Sequence, residues 1–226
     1  MLDDTKIIER CTNDGDFAMS DALLIPRVLQ ILHSLPAAKI DFWAHGMHVS
    51  GGGYGMVWSH IAQGFIKLRL VRLASQITNG AGAQYDNITH ILWFRRDTYG
   101  SSPDERAMIM HECTHALRDI MASPAFRKEG MYGSKIVGQL HFDNEAAAYI
   151  AACLFYIYDN GVEWPFGEGD MADVYLAANS IARGLKDNKG ARVDEGDFLD
   201  LRGKISLDPT NAGVASPNDP DDIGRW

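Results

Sequence analysis

Cysteine is scarce in this 226-residue chain, with only three present. Cys11, Cys113 and Cys153 are odd in number and far apart, which excludes a disulfide framework and a CxxC zinc knuckle. Free thiols in a reducing compartment are the expectation. Long apolar runs are missing too: no stretch approaches the roughly 18 consecutive apolar residues of a membrane helix. Residues Met1 to Arg10 have neither a basic lead nor an apolar run, so no secretory signal is predicted. A cytoplasmic location is then the default, and non-classical export stays compatible. Positive charge is also in deficit. With 21 Lys and Arg against 30 Asp and Glu, the formal charge is -9, which argues against the broad basic face of a nucleic-acid binder. The basic residues Lys67, Arg69 and Arg72 fit the wet face of a strand better than a phosphate track.

What is present is an ordinary globular composition, 46% hydrophobic and 23% charged. A single domain is predicted over residues 1–202, followed by a polar tail over 203–226 that is flexible or draped over it. Apolar residues recur with helical spacing from Ser20 to Leu35, where Pro26 starts or kinks the helix. Lys39 to Trp43 reads as a short strand, and His45 to Gly55 as a turn or loop. Met56 to Leu73 is strand-like, most clearly at Ile66 to Leu70, where apolar and basic residues alternate. Residues Asn79 to Asn87 read as loop and Ile88 to Phe94 as a strand. Trp43, Trp58 and Trp93 are expected to fill the core beside the sheet.

Ser102-Pro-Asp-Glu105 then has the form of a capping box with Pro in the first turn, predicting a helix to about Ala122. Two more helices are expected, from about Asp143 to Asp159 and from Asp170 to Lys186. Helix, several strands, then helices is the order of a segregated α+β domain.

The middle of the capped helix holds His111-Glu-Cys-Thr-His115, an H-E-x-x-H match. Four residues along a helix rotate about 400° and rise about 6 Å, so both imidazoles leave from one face and can reach one Zn²⁺. Glu112 is offset by about 100° and falls beside the metal rather than on it. A carboxylate there can take a proton from a metal-activated water, which makes Glu112 the candidate general base.

This segment resembles the active-site helix of the zincin metallopeptidases. The likeness covers about sixty to seventy residues and implies a zincin-like α+β fold, a Zn²⁺ cofactor and hydrolysis of peptide bonds. It also implies that the strand upstream, Ile88 to Phe94, forms a sheet edge that pairs with extended substrate. Metzincins would place Gly and His three and six residues after the motif; Arg118 and Met121 stand there instead. The gluzincin pattern draws a third ligand from the next helix, often with small residues behind it. Glu145, followed by three alanines, fits, and Ala148 completes a Glu-x-x-Ala pattern. His141, Asp143 and Glu129 compete for that role.

Gluzincins commonly steady the reacting oxyanion with a Tyr or His. His141 is the first choice here, with Tyr149 and Tyr132 as alternatives. Asp119, one turn past His115, is either an acceptor orienting an imidazole or a solvated charge. Cys113 is expected to be a small core residue rather than a nucleophile. Gly51-Gly-Gly-Tyr-Gly55 lacks the Lys-Ser/Thr ending of a phosphate loop and reads as a turn. His45 and His48 could form a separate metal pair, though solvent-facing or core roles are more usual.

The expected partner is a peptide or protein, with no nucleic acid and no membrane. The rival readings are an amidase on a cell-wall peptide, a secreted effector or toxin with a narrow target, and a non-catalytic zincin-like binding protein. An intact Glu112 speaks against the last.

Overall fold

The computed structural model describes residues 23–73, 76, 81–122, 141–165 and 171–207. Its elements run α1 (Leu24–Leu32), α2 (Leu35–Lys39), β1 (Asp41–Ala44), β2 (Met47–Ser50), α3 (Gly51–Ala62), β3 (Lys67–Leu70), β4 (Ala83–Asp86) and β5 (Ile91–Phe94). They continue with α4 (Pro103–Ala122), α5 (His141–Asn160), α6 (Ala172–Leu185), β6 (Ala191–Arg192) and α7 (Glu195–Leu207). The class is α+β with two small mixed sheets, one ordered β2-β1-β6 and the other β3-β5-β4. The largest helix contact is between α4 and α5, and α6 also packs against α5. The alanines of α5 (Ala146, Ala147, Ala148, Ala151 and Ala152) are all fully buried, so small side chains let its neighbours approach.

The capped helix forms as its sequence dictates. Glu105 N–H donates to Ser102 Oγ at 3.3 Å, and Ser102 N–H donates back to Glu105 Oε2 at 3.2 Å. Gly100 and Ser101 add backbone donors to the same oxygen, and the Arg96 guanidinium pairs with the other. Burial pushes the Glu105 carboxyl up, but the Arg96 and backbone hydrogen bonds outweigh it and hold its pKa below the usual range.

A carboxylate whose pKa is lower folded than unfolded stabilises above its unfolded pKa, and that contribution disappears as pH falls through the folded value. Glu105→Gln is therefore expected to cost about 1–2 kcal/mol at pH 7. Urea midpoints of wild type and variant should converge as pH drops below about 4; a gap that persists in acid would place the effect elsewhere than in the charge.

The glycine-rich segment departs most from the sequence reading. Only His45 and Gly46 turn, both at positive φ; β2 then pairs antiparallel with β1, and α3 begins at Gly51. Ser50 caps α3 by accepting from Gly53 N–H at 3.3 Å. A Cβ on Gly51 would lie 2.8 Å from the backbone of Ala38, and one on Gly53 would lie 2.8 Å from Leu117 on α4. These glycines are packing residues, whose missing side chains seat α3 against α2 and the motif helix. Helix propensity is low here, and tertiary contact overrides it.

Other boundaries shift as well. Lys39 ends α2, so the expected Lys39–Trp43 strand begins at Asp41. Met56 to Ala62 is helical, leaving only Lys67–Leu70 as β3, where Lys67 is exposed and Leu68 buried as the alternation predicts. Part of the expected 79–87 loop is β4, whose pairing with β5 buries Ala83 and Tyr85. Ile88 to His90 belong to the β4–β5 turn, which shortens the next strand to Ile91–Phe94.

In sheet order β5 is central, and β4 is the edge strand beside α4. Trp43, Trp58 and Trp93 are half-buried rather than core, and Trp58 and Trp43 stack on His33 and His48. Residues 203–207, assigned from sequence to the tail, complete α7, which buries Phe198, Leu201 and Ile205. Residues 208–226 lie outside the described residues, as does Cys11.

Candidate metal centre

The two imidazoles of α4 and the carboxylate of α5 meet where those helices pack. His111 Nε2 lies 3.3 Å from Glu145 Oε2, and His115 Nε2 lies 3.3 Å from Glu145 Oε1. The two Nε2 atoms are 3.1 Å apart. His111 is 4% exposed and Glu145 half-buried. For ligands at about 2.0–2.1 Å in a tetrahedron, each edge is about 3.3–3.4 Å. The two Nε2 atoms stand at close to such an edge, each with its own Glu145 oxygen at that distance, and one ligand atom from each residue falls within 4.8 Å of the others.

A shared proton satisfies one of the three contacts at a time, whereas a cation at their centre satisfies all of them. Burial lowers the His111 pKa, and the adjacent Glu145 carboxylate outweighs it and leaves the imidazole above its ordinary value. The site thus carries the negative bias that a cation needs. His111, His115 and Glu145 form a buried cluster that can hold a metal ion.

Glu112 stands beside this cluster and outside it. Its Oε2 accepts a hydrogen bond from Tyr85 N–H on β4 at 2.8 Å, and the residue is 7% exposed. Burial pushes its carboxyl up to about 7, partly offset by His111 and the Tyr85 amide and reinforced by Glu145. A carboxylate poised near neutrality can both accept and return a proton.

The remaining candidates separate by position. Asp143 points elsewhere: it is 1% exposed, with Arg202 Nε of α7 at 3.2 Å and His45 Nε2 at 3.5 Å. It ties α5 to α7 and to the β1–β2 turn rather than joining the cluster. His141 is the first residue of α5, and its side chain lies outside the described residues, as do Glu129 and Tyr132. Tyr149, one turn past Glu145, sets its ring edge-on to His111 with centroids 4.5 Å apart. Tyr175 of α6 packs edge-on to Tyr149 at 5.2 Å.

Asp119 does face an imidazole, but one outside the cluster: it pairs with His90 Nδ1 at 3.0 Å and accepts from Tyr85 Oη at 2.8 Å. His48 bonds Asp41 at 2.7 Å while His45 faces Asp143, so they do not converge. Cys113 is fully buried, and burial pushes its thiol far above the ordinary range, which suits a core residue.

No protein-family model matches the chain, and neither a curated protein nor a solved structure was found to match it. The functional reading rests on the chemistry of this centre. Sequence reasoning missed Tyr85, His90 and Tyr175. The first two lie in a stretch read as loop and strand start, and no local pattern marks a tyrosine whose backbone amide meets Glu112.

Proposed function

We infer that the protein is a zinc-dependent hydrolase that cleaves peptide or amide bonds, with a gluzincin-like centre of His111, His115 and Glu145. The observation that carries this reading is the convergence of His111, His115 and Glu145, whose ligand atoms lie within 4.8 Å of one another, with a second, non-ligating carboxylate, Glu112, alongside. Two imidazole nitrogens and one carboxylate oxygen are a ligand set zinc accepts, and three protein ligands leave a position open. Zinc bound there supplies Lewis acidity, lowering the pKa of water and polarising a carbonyl.

Everything else falls to the chain's own side chains. Glu112 gives one oxygen to the Tyr85 amide, which fixes its orientation and leaves the other oxygen to accept a proton from the attacking water. As the C–N bond breaks, the same carboxyl returns that proton to the leaving nitrogen, so it ends the cycle as it began. Tyr149, whose ring packs on His111, is the described residue we assign to the developing oxyanion. Burial of Glu112 and His111 limits bulk water around the reacting groups.

The deciding experiment is elemental analysis of purified protein, followed by mass spectrometry of a peptide library and a cell-wall peptide incubated with the zinc-loaded chain. Stoichiometric zinc and discrete cleavage products are expected. Cleavage confined to the cell-wall peptide would favour the amidase. Zinc-free protein after reconstitution would sink the reading.

A further inference from the structure

Asp119 has two donors aimed at one oxygen, and nothing in the hydrolytic scheme uses them. Tyr85 Oη donates to Asp119 Oδ2 at 2.8 Å, and His90 Nδ1 lies 3.0 Å from the same oxygen. His90 Nδ1 is also 3.1 Å from Tyr85 Oη, so the three groups close a ring of contacts. Tyr85 is 2% exposed, while His90 and Asp119, at 43% and 27%, form the outer side of the ring.

The backbone is bent to build this ring. His90 sits at φ 54, a left-handed conformation that costs a non-glycine residue energy. The turn that delivers it is fastened by Asp86, which accepts from Ile88 N–H at 2.9 Å and from the Thr89 hydroxyl at 2.5 Å. Lys67 N–H bonds the His90 carbonyl at 2.9 Å from the other side.

Tyr85 belongs to two contacts at once. Its hydroxyl is tied to Asp119, one turn past His115, while its amide bonds Glu112, one residue past His111. Residues 112 and 119 are seven apart on α4, about two turns and nearly one face. The side chain and the amide therefore grip the same helix at two points along one stripe. Tyr85 also faces Leu92 across the β4–β5 ladder, so the strand's register is set between β5 and α4.

The geometry points to Asp119 and His90 as positioning residues: through Tyr85 they clamp the edge strand β4 onto α4 and hold the Tyr85 amide on Glu112. The clamp fixes the carboxylate by one of its oxygens, the one bonded to the Tyr85 amide. This deepens the hydrolase reading, which it needs only for what Glu112 does once it is aimed. Neither Asp119 nor His90 has a place in the metal cluster.

The test measures amide hydrogen exchange at Tyr85 by NMR in the zinc-loaded full chain, for wild type, Tyr85→Phe, Asp119→Ala and Asp119→Asn. Tyr85→Phe keeps the amide and removes only the hydroxyl. Exchange at Tyr85 is expected to accelerate about tenfold in Tyr85→Phe and Asp119→Ala, with Asp119→Asn partly rescued because its amide oxygen still accepts. Amides in the middle of α5 should keep their wild-type rates, and zinc content should not change. On a cleaved peptide, Tyr85→Phe should lower kcat about tenfold at unchanged KM.

Unchanged Tyr85 exchange, or acceleration shared equally by α5, overturns the clamp. Faster exchange at undiminished kcat overturns its positioning role. If no peptide is cleaved, the hydrolase reading fails while the exchange rates still decide the clamp.

Discussion

Glu112→Gln is expected to abolish turnover while leaving the metal in place. The amide keeps the volume of the carboxylate and still offers an oxygen to Tyr85 N–H, the contact made at 2.8 Å in the native chain. What it loses is the ability to accept a proton. A positioned general base contributes about 10²–10⁴-fold, so kcat on an identified peptide should fall by that order with KM little changed. Zinc content should equal wild type, because Glu112 lies outside the set His111, His115 and Glu145. Stability should not suffer either, since a neutral amide is cheaper to bury than a carboxylate in this 7% exposed position. Steady-state kinetics paired with elemental analysis checks both halves. A variant that keeps a tenth or more of wild-type turnover would remove Glu112 from the proton's path, and one that loses zinc would make it a ligand.

The legible parts of this chain are those in which local chemistry and tertiary structure agree. The motif helix is announced by its cap, and Ser102 and Glu105 bond each other as the spacing requires. The His111–His115 pair follows from helical pitch alone, and Glu145 emerges because three alanines behind it allow α5 to approach.

The illegible parts are those in which distant contacts decide. Gly51 and Gly53 look like a turn in isolation, yet they start a helix because Ala38 and Leu117 need the space. β4 carries Ala, Gln, Tyr and Asp, a weak strand signal, and exists through its pairing with β5 and its contact with α4. Because β4 was not visible, neither was Tyr85, and the edge of the sheet was assigned one strand too late. α7 was hidden by its mixed composition, with only Phe198, Leu201 and Ile205 turned inward. Asp143 and Glu145, indistinguishable as ligands by residue type, are separated by two positions on a helix. That rotation of about 200° sends one to Arg202 and the other to the histidines.

That separation underlies the second large effect. Glu145→Ala is expected to abolish stoichiometric zinc binding, whereas Asp143→Ala should keep the metal and lose stability. Removing Glu145 takes away both oxygens that lie 3.3 Å from the two Nε2 atoms, leaving a dication to be held by two neutral imidazoles in a buried site. Changes to groups behind a ligand already cost about 10–100-fold in affinity, and loss of a charged ligand should exceed that.

Thermal denaturation reads the difference directly. Zinc at a hundred times its dissociation constant stabilises the folded state by about 2.7 kcal/mol, or about 5–10 °C in a chain of this size. Wild type should lose that increment on chelation, and Glu145→Ala should show no shift with either zinc or chelator. Asp143→Ala leaves the cluster intact but strips Arg202 and His45 of a carboxylate that is 1% exposed. Its midpoint should fall with and without metal, while the chelation shift persists. The reverse pattern, with zinc lost in Asp143→Ala and kept in Glu145→Ala, would exchange their roles and break the ligand assignment on which the centre rests.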